Sequence, residues 1–317
     1  MTKVHRRLLN SLSETRAVNV NTPYGFQENV DQMTAKVQQY FDTSLQLPLR
    51  DLDLRSLEGA SPEAQRAFSA AVANATYVFA GPGSPSYALA QWGPLPFRDN
   101  LAQVLAQGGV VCFSSAAALT LGAFTPPIYE IYKAGSAPTW LAGLNLTSLL
   151  GLNCVVLPHY NNAEGGTYDT SRCYLGERRL RLLEAELPDG VGIFGIDERS
   201  AALIDLETRE VSVLGKGEVH WRLAGTVEHF AAGTTFSLDD LGATAVALDD
   251  IEVDDAPEES ALDAVNLLAL RARDEALVAA LDHARANARA KGLYDIADQI
   301  RDALTAFGVT VRDGASA

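Results

Sequence analysis

Six short runs of mainly apolar residues recur along the first two thirds of the chain. They lie at residues 17–20, 77–80, 110–113, 154–157, 192–196 and 202–206. Between the first two runs, Val30, Met33 and Val37 repeat at helical spacing. Strands that are apolar on both faces and alternate with helices are typical of a parallel sheet covered on both sides. The pattern therefore predicts an α/β domain with a doubly wound, mostly parallel sheet.

Helix starts are also marked in the sequence. Ser61 precedes Pro62, which is the usual order of an N-cap and a first helical residue. Asp99 is expected to open a further helix. A doubly wound domain ordinarily begins with a buried strand, whereas this chain begins with a leucine-containing helical pattern. Either the first strand is absent, or the true start of the protein lies upstream of Met1.

The pattern changes in the second half of the chain. Short strands with tight turns at 211–214 and 219–223 predict an antiparallel extension of the main sheet. Acidic residues then dominate 248–260, a composition that does not build a core and is typical of a linker. Residues 261–317 show a helical pattern with one break. We therefore predict an α/β domain over 1–247, an acidic linker over 248–260 and a small C-terminal helical hairpin over 261–317.

Composition excludes several classes of function. The formal net charge of −15 argues against a broad nucleic-acid surface, because phosphate contacts need clustered lysine and arginine. No apolar run reaches the ~18 residues of a membrane helix, and the first residues have no apolar signal-peptide core. Cys112, Cys154 and Cys173 show no CxxC spacing, which argues against zinc and against disulfides. We expect a cytoplasmic protein without a metal or organic cofactor.

Chemistry-bearing side chains lie where predicted strands end. Ser115 stands at a strand-to-helix turn, and His159 and Glu198 each follow an apolar strand. The carboxyl ends of neighbouring parallel strands converge on one crevice, so these residues can meet. A nucleophile, a base and an acid that orients the base are what serine hydrolysis requires. The alternatives are a helix-capping serine, a structural histidine, and the neighbours Ser114 and Asp197 in the same roles.

The serine segment matches a nucleophile elbow in part. Such a turn needs small residues two positions before and two after the nucleophile. Ser115 has Ala117 after it but Phe113 before it, and spacing alone hardly separates it from Ser114. Cys112 lies inside the predicted strand and is rejected as the nucleophile.

A glycine-rich loop follows the strand at 77–80. Gly81, Gly83 and Ser84 in this loop, together with Ala116, are positioned by sequence to offer backbone N–H groups to an oxyanion. The alternative is an ordinary Gly/Pro turn.

Four motifs together resemble the S51-type peptidase E and cyanophycinase family. They are Gly81-Pro82-Gly83-Ser84-Pro85, Ser115-Ala116-Ala117-Ala118, Pro158-His159-Tyr160 and Gly195-Ile196-Asp197-Glu198. The resemblance covers residues 17–225. It implies a class I glutamine amidotransferase-like, flavodoxin-like fold and a serine peptidase whose nucleophile, base and acid are Ser115, His159 and Glu198. It also implies that the loop at 81–84 supplies the oxyanion site.

The chain departs from that family at several positions. Phe113 and Ala117 replace the two elbow glycines, and the tract that begins at Asn161, a further candidate site residue, lacks the arginine found there in cyanophycinases. The substrate therefore need not be a β-aspartyl-arginine bond. Between elbow and histidine, Glu130 and Lys133 either line a substrate pocket or form an ion pair on a short helix.

The C-terminal segment resembles the last helices of cysteinyl-tRNA synthetases. The spacing of Arg285, Arg289, Tyr294, Asp298 and Arg301 contributes to this match of about forty residues. No nucleotide-binding motif accompanies it, and acids and bases balance over 277–317. We expect this hairpin to pack or to bind a second copy or another protein rather than RNA.

These observations lead to two readings. The first is a serine-type peptidase or amidohydrolase that acts on a small peptide or amide through Ser115, His159 and Glu198. The second is a catalytically inactive binding or scaffold protein that keeps the fold. Glutamine amidotransfer is a weaker third reading, because that chemistry uses an elbow cysteine. The sequence specifies neither the scissile bond nor the oligomeric state.

Overall fold

The computed structural model describes residues 2–244. The helices are α1 Thr2–Asn10, α2 Val30–Tyr40, α3 Pro62–Ala73, α4 Pro85–Trp92, α5 Phe97–Ala106, α6 Ala116–Leu119, α7 Ile128–Tyr132 and α8 Gly176–Glu184. The strands are β1 Ala17–Val20, β2 Arg50–Leu52, β3 Tyr77–Ala80, β4 Val110–Phe113, β5 Phe124–Thr125, β6 Leu141–Ala142, β7 Cys154–Leu157, β8 Gly192–Ile196, β9 Ser200–Asp205, β10 Glu210–Gly215, β11 Glu218–Leu223, β12 Thr226–Ala231 and β13 Thr235–Ser237. The predicted linker and C-terminal hairpin lie outside the described residues.

The first sheet is parallel throughout, in the order β2-β1-β3-β4. Every residue of β1 and β3 is buried, because apolar clusters pack on both faces of this sheet. One cluster contains Trp92 and Phe97 from the covering helices, and the other contains Phe41 and Tyr77. The predicted parallel sheet in an α/β protein is confirmed.

A second sheet has the order β12-β11-β8-β7-β5-β6. Strands β5, β7 and β8 are parallel to one another, whereas β6, β11 and β12 run antiparallel to their neighbours. A small third sheet, β13-β10-β9, is antiparallel. The predicted antiparallel extension is confirmed for β11, which pairs with β8, whereas β10, assigned to the same extension, pairs in the third sheet.

The short helix α6 lies where three apolar clusters meet. Ala117 belongs to the cluster on the first sheet, Ala118 to a cluster that includes Val156 and Trp221, and Leu119 to a third one. All four residues of α6 are buried. Only small side chains allow a helix to sit this close to several packed elements, so the alanine run has a packing role.

Some predicted boundaries shift. The helix expected to open at Asp99 begins at Phe97, and the strand expected at 202–206 spans Ser200–Asp205. Most side chains of strand β12 are exposed, so its sequence lacks the alternation of apolar and polar residues that predicts a strand. Within residues 2–244, no helix is both long and apolar enough to cross a bilayer.

Candidate active site

Ser115 occupies a strained turn between β4 and α6. Its φ is 53° and its ψ is −122°, a backbone conformation that residues other than glycine rarely adopt. Its hydroxyl makes no hydrogen bond to the backbone of α6, so the helix-capping alternative does not describe this serine. The turn therefore leaves the Ser115 hydroxyl free to contact groups outside α6.

Phe113, the large residue two positions before Ser115, is accommodated by the core of the first sheet. Its ring lies 6.0 Å from that of Trp92 and 6.5 Å from that of Phe97, measured between centroids. Ala117, two positions after Ser115, is fully buried. An elbow-like turn therefore forms without the small residue expected before the serine.

Ser115 and His159 are in hydrogen-bond contact. Ser115 Oγ lies 3.0 Å from Nε2 of His159, which stands two residues after the end of β7 and also has a positive φ of 52°. The next residue anchors this position, because the Tyr160 N–H donates to the Ile196 carbonyl at 3.0 Å. The Tyr160 ring packs against Gly195, where an added Cβ would lie only 2.5 Å from the ring.

Glu198 completes a continuous chain of hydrogen bonds. Its Oε1 lies 3.1 Å from His159 Nδ1 and accepts a 2.7 Å hydrogen bond from the buried Asn162 side chain. The Glu198 N–H donates to Asn161 Oδ1 at 2.9 Å. The hydrogen bond from Asn162, assisted by His159, lowers the pKa of the Glu198 carboxyl below its ordinary value despite some desolvation.

Asn162 has a contact that sequence reasoning missed. Asn161 was singled out, but the side chain that reaches the Glu198 carboxylate belongs to its neighbour. The available signal was the pair of asparagines directly after a histidine at a strand end. Which of the two turns inward depends on the backbone after His159, and local sequence does not determine that.

The neighbouring alternatives have other partners. The Asp197 carboxylate contacts Nε2 of His220 at 2.9 Å and accepts the Glu218 N–H at 2.9 Å. The Ser114 N–H donates to the Ala80 carbonyl. The histidine at the end of β7 thus pairs with Ser115 and Glu198 rather than with Ser114 or Asp197.

The loop at 81–85 is tightly packed against an earlier segment. Gly83 has a φ of 144°, and a Cβ there would lie 1.9 Å from the Pro23 carbonyl oxygen. The Ser84 N–H already donates to that oxygen at 2.7 Å, while the Ser84 hydroxyl caps α4 by accepting from Tyr87. Ser84 is therefore an N-cap, and the expectation that its N–H faces an oxyanion is corrected.

Several N–H groups near Ser115 are available to donate. In the described part of the chain, no hydrogen-bond acceptor is found for the N–H of Gly81, Gly83 or Ala116. Gly81 contributes its carbonyl, which accepts from the Ala117 N–H at 3.2 Å. This contact ties the loop to the first turn of α6.

One tyrosine lies beside the His159 side chain and connects it to two further tyrosines. The Tyr174 ring centroid lies 5.9 Å from that of His159 and 5.3 Å from that of Tyr132. Tyr132 and Tyr168 join their hydroxyls at 2.6 Å. Burial, with the nearby Glu164 carboxylate, raises the pKa of Tyr174 to about 12.

A left-handed turn supports this aromatic group. Arg172, Cys173 and Tyr174 all have positive φ, and the first two donate their N–H groups to the carbonyls of Tyr160 and His159. Three consecutive left-handed residues are costly without glycine, so this turn persists because its surroundings hold it.

The predicted ion pair of Glu130 with Lys133 is replaced by other contacts. Glu130 accepts a hydrogen bond from Ser86. Its other carboxylate oxygen is buried and has no partner among the described residues. The Lys133 ammonium lies 4.7 Å from the centroid of the Tyr132 ring. Glu130 is therefore joined to α4, the helix that Ser84 caps.

The fold is similar to that of a peptidase of known structure. A peptidase from an acI-B1 Actinobacterium superposes with a TM-score of 0.59 and 19% sequence identity, over 75% of this chain and 91% of that chain. A protein from Listeria monocytogenes EGD-e with the provisional name peptidase E gives a TM-score of 0.44 and 13% identity, over 74% and 94% of the two chains. At these identities the likeness concerns the fold alone.

Sequence comparison detects a relationship at the other end of the chain. The family model of the cysteinyl-tRNA ligase anticodon binding domain matches residues 275–317. No curated protein matches the chain significantly. The chain thus combines a peptidase-like α/β fold with a C-terminal segment that is similar to part of a tRNA ligase.

Proposed function

We propose that this protein is a serine hydrolase that cleaves an amide bond in a small peptide or related amide. The observation that carries the proposal is the unbroken hydrogen-bond chain from Ser115 through His159 to Glu198, built on a positive-φ turn. A nucleophile, a base and an orienting acid in hydrogen-bond contact are the recognisable parts of such a site on any fold.

The geometry supports a two-stage reaction. Ser115 Oγ attacks the substrate carbonyl, while His159 Nε2 accepts the hydroxyl proton and then donates it to the departing amine. Glu198 holds Nδ1 of His159 in place and stabilises the imidazolium. Because its pKa is lowered, Glu198 stays ionised and leaves the proton on the histidine. A water activated by His159 then releases the acyl group from Ser115.

The free N–H groups near the nucleophile fit the oxyanion. The N–H of Ala116, directly after Ser115, is the usual first donor of an elbow. The N–H of Gly83 is the proposed second donor, in place of Ser84. Such donors stabilise the negative charge that develops on the carbonyl oxygen in the transition state.

The resemblance to the peptidase E and cyanophycinase family supports the same reading. In that family the fold is amidotransferase-like, and the matching residues are Ser115, His159 and Glu198. The proposal includes a class I glutamine amidotransferase-like core, cytoplasmic location and catalysis without a cofactor. Tyr174 beside His159, with Tyr132 and Tyr168 behind it, favours a substrate with an apolar or aromatic side chain next to the cleaved bond.

Active-site labelling tests this proposal. The purified protein is treated with a fluorophosphonate, and the modified peptide is mapped by mass spectrometry. We expect the label on Ser115, its loss in Ser115→Ala, and its retention in the neighbouring control Ser114→Ala. Thermal unfolding of all three proteins verifies that they are folded. Labelling of folded Ser115→Ala to the same extent would contradict the assignment.

A binding or scaffold protein is the second candidate function. Phe113 and Ala117, which replace the two elbow glycines, favour this candidate. The appended segment that matches a tRNA ligase domain favours it as well. Acids and bases balance over 277–317, so a protein contact is favoured over RNA. Absence of fluorophosphonate labelling in a folded wild-type sample would support the binding or scaffold function. If Ser115 is labelled, dipeptides and isoaspartyl peptides are screened as substrates.

A further inference from the structure

A second cluster of histidine and carboxylate side chains lies on the hairpin formed by β11 and β12. Glu218, His220 and His229 each offer one ligand atom, and these three atoms lie within 4.8 Å of one another. The two Nδ1 atoms are 2.9 Å apart, and His229 Nδ1 is 3.3 Å from the Glu218 carboxylate. Ser115, His159 and Glu198 do not belong to this cluster.

Strand pairing holds the three side chains on one face. His220 and His229 are directly opposite each other in the antiparallel pair, and Glu218 lies two residues before His220 on the same strand. Residues two apart on a strand point to the same side. The donor atoms therefore converge because of the strand register rather than through flexible loops.

Asp197 prepares His220 to act as a metal ligand. Its carboxylate can only accept a hydrogen bond from His220 Nε2, at 2.9 Å, so Nε2 carries the proton. In the neutral ring the lone pair is then on Nδ1, the atom that faces His229 and Glu218. A carboxylate behind a histidine ligand is the common supporting arrangement of protein metal sites.

The site around His220 is rigid on its inner side and open on its outer side. The ring of buried His220 stacks on that of Tyr160 at 4.6 Å between centroids, and Asp197 is itself held by the Glu218 N–H. His229 and Glu218 are partly exposed, which gives an ion a path from solvent. The carboxylates of Glu218 and Asp197 supply the negative charge that a divalent cation favours.

The spacings of the donor atoms suit a first-row transition metal. Two donors on one ion at about 2.0–2.1 Å are about 2.9 Å apart at a right angle and about 3.4 Å apart at the tetrahedral angle. The two measured separations, 2.9 and 3.3 Å, fall in this interval. Imidazole with one carboxylate is a donor set of zinc, copper and nickel rather than of magnesium or calcium.

We propose that Glu218, His220 and His229 bind one divalent first-row transition-metal ion, with Asp197 as the residue that orients His220. The proposal is independent of the hydrolase assignment, because none of these residues takes part in the proposed reaction. Strand β8 leads directly to both Asp197 and Glu198, so bound metal would stabilise the segment that carries the proposed acid.

Metal binding by the full chain, prepared without a polyhistidine tag, tests the proposal. Zn²⁺ binding is measured by equilibrium dialysis, and Co²⁺ is followed by its visible absorption bands. We expect saturable binding that weakens about 10–100-fold in Asp197→Asn and at least as much in His229→Ala. Glu228→Gln, on the same strand but one position away from His229, is the matched control and should bind like wild type.

Folding is checked independently of metal binding. His229 is largely exposed, so His229→Ala should keep the unfolding temperature of the metal-free wild type. Absence of saturable binding by folded wild type would overturn the proposal, since the two imidazoles would then form only a hydrogen bond. Equal affinity in folded His229→Ala would place the ion elsewhere and also overturn it.

Discussion

Ser115 and His159 face each other at 3.0 Å with nearly equal positive φ angles, 53° and 52°. Neither residue is glycine, and such conformations cost about 1–3 kcal/mol each. The buried helix α6, which packs in three apolar clusters, stabilises the conformation of Ser115. The hydrogen bond from the Tyr160 N–H to the Ile196 carbonyl stabilises that of His159. The contact between the two side chains is thus imposed by the fold.

The Asn162 side chain should control the reactivity of Ser115 through Glu198. Removing it in Asn162→Ala deletes the main hydrogen bond that lowers the pKa of Glu198, so that pKa should rise. Loss of a hydrogen bond to a charged group costs about 1.5–3 kcal/mol, so fluorophosphonate labelling should slow by about 10-fold or more. The exposed Asn153→Ala is the control. An unchanged labelling rate in Asn162→Ala would show that Asn162 does not position the acid.

His5 should make the stability of the fold depend on pH. Burial lowers the pKa of His5 to about 4, and its Nδ1 lies 2.6 Å from the Tyr77 hydroxyl. The unfolded chain, with a histidine pKa near 6.5, binds this proton more readily, so stability is fully present above about pH 6.5 and falls towards pH 4. The difference of about 2.5 between the unfolded and folded pKa values of His5 corresponds to at most about 3.4 kcal/mol in the free energy of unfolding.

Urea unfolding at several pH values measures this effect of His5. Wild type should lose more stability than His5→Gln between pH 7 and pH 4.5, since glutamine does not titrate. Parallel pH profiles of the two proteins would contradict the assignment.

Gly83 should be required for the loop next to the nucleophile. In Gly83→Ala, the new Cβ would collide with the Pro23 carbonyl in a conformation reserved for glycine, and we expect a loss of about 3 kcal/mol or more in unfolding free energy. Gly59→Ala is the matched control, because Gly59 also has a positive φ but has no atom within 4 Å of the added Cβ. It should cost only about 1–2 kcal/mol. Equal losses in the two variants would show that the contact with Pro23 is unimportant.

The cysteines should be inert in the folded protein. Burial raises the pKa of Cys112 to about 11 and that of Cys154 to about 12, so very little thiolate exists at neutral pH. Iodoacetamide at pH 7 should leave both unmodified until the chain is unfolded. Rapid alkylation of Cys112 in the native protein would revive a thiol near the elbow as a candidate nucleophile.

Several features of this protein were predictable from local sequence. The apolar runs that became β1, β3, β4, β7 and β8 were located correctly, because strands packed on both faces require such runs, even where, as in edge strand β4, the side chains are only half-buried. The capped start of α3 was also correct, with Ser61 accepting a hydrogen bond from Ala64. The short or exposed strands β2, β5, β6, β12 and β13 were missed, since their side chains carry too little periodic signal.

The residue types for the proposed chemistry were likewise visible in the sequence, as a serine, a histidine and an acid at strand ends. Only the tertiary structure decided which neighbours meet. In the structure, the His159 side chain contacts Ser115 and Glu198. The Asp197 side chain contacts His220, and the Asn162 side chain donates a hydrogen bond to Glu198. Periodicity determines which face of a strand is buried, whereas contacts between residues 23 to 44 positions apart depend on strand order, register and backbone turns. No local pattern encodes those three properties.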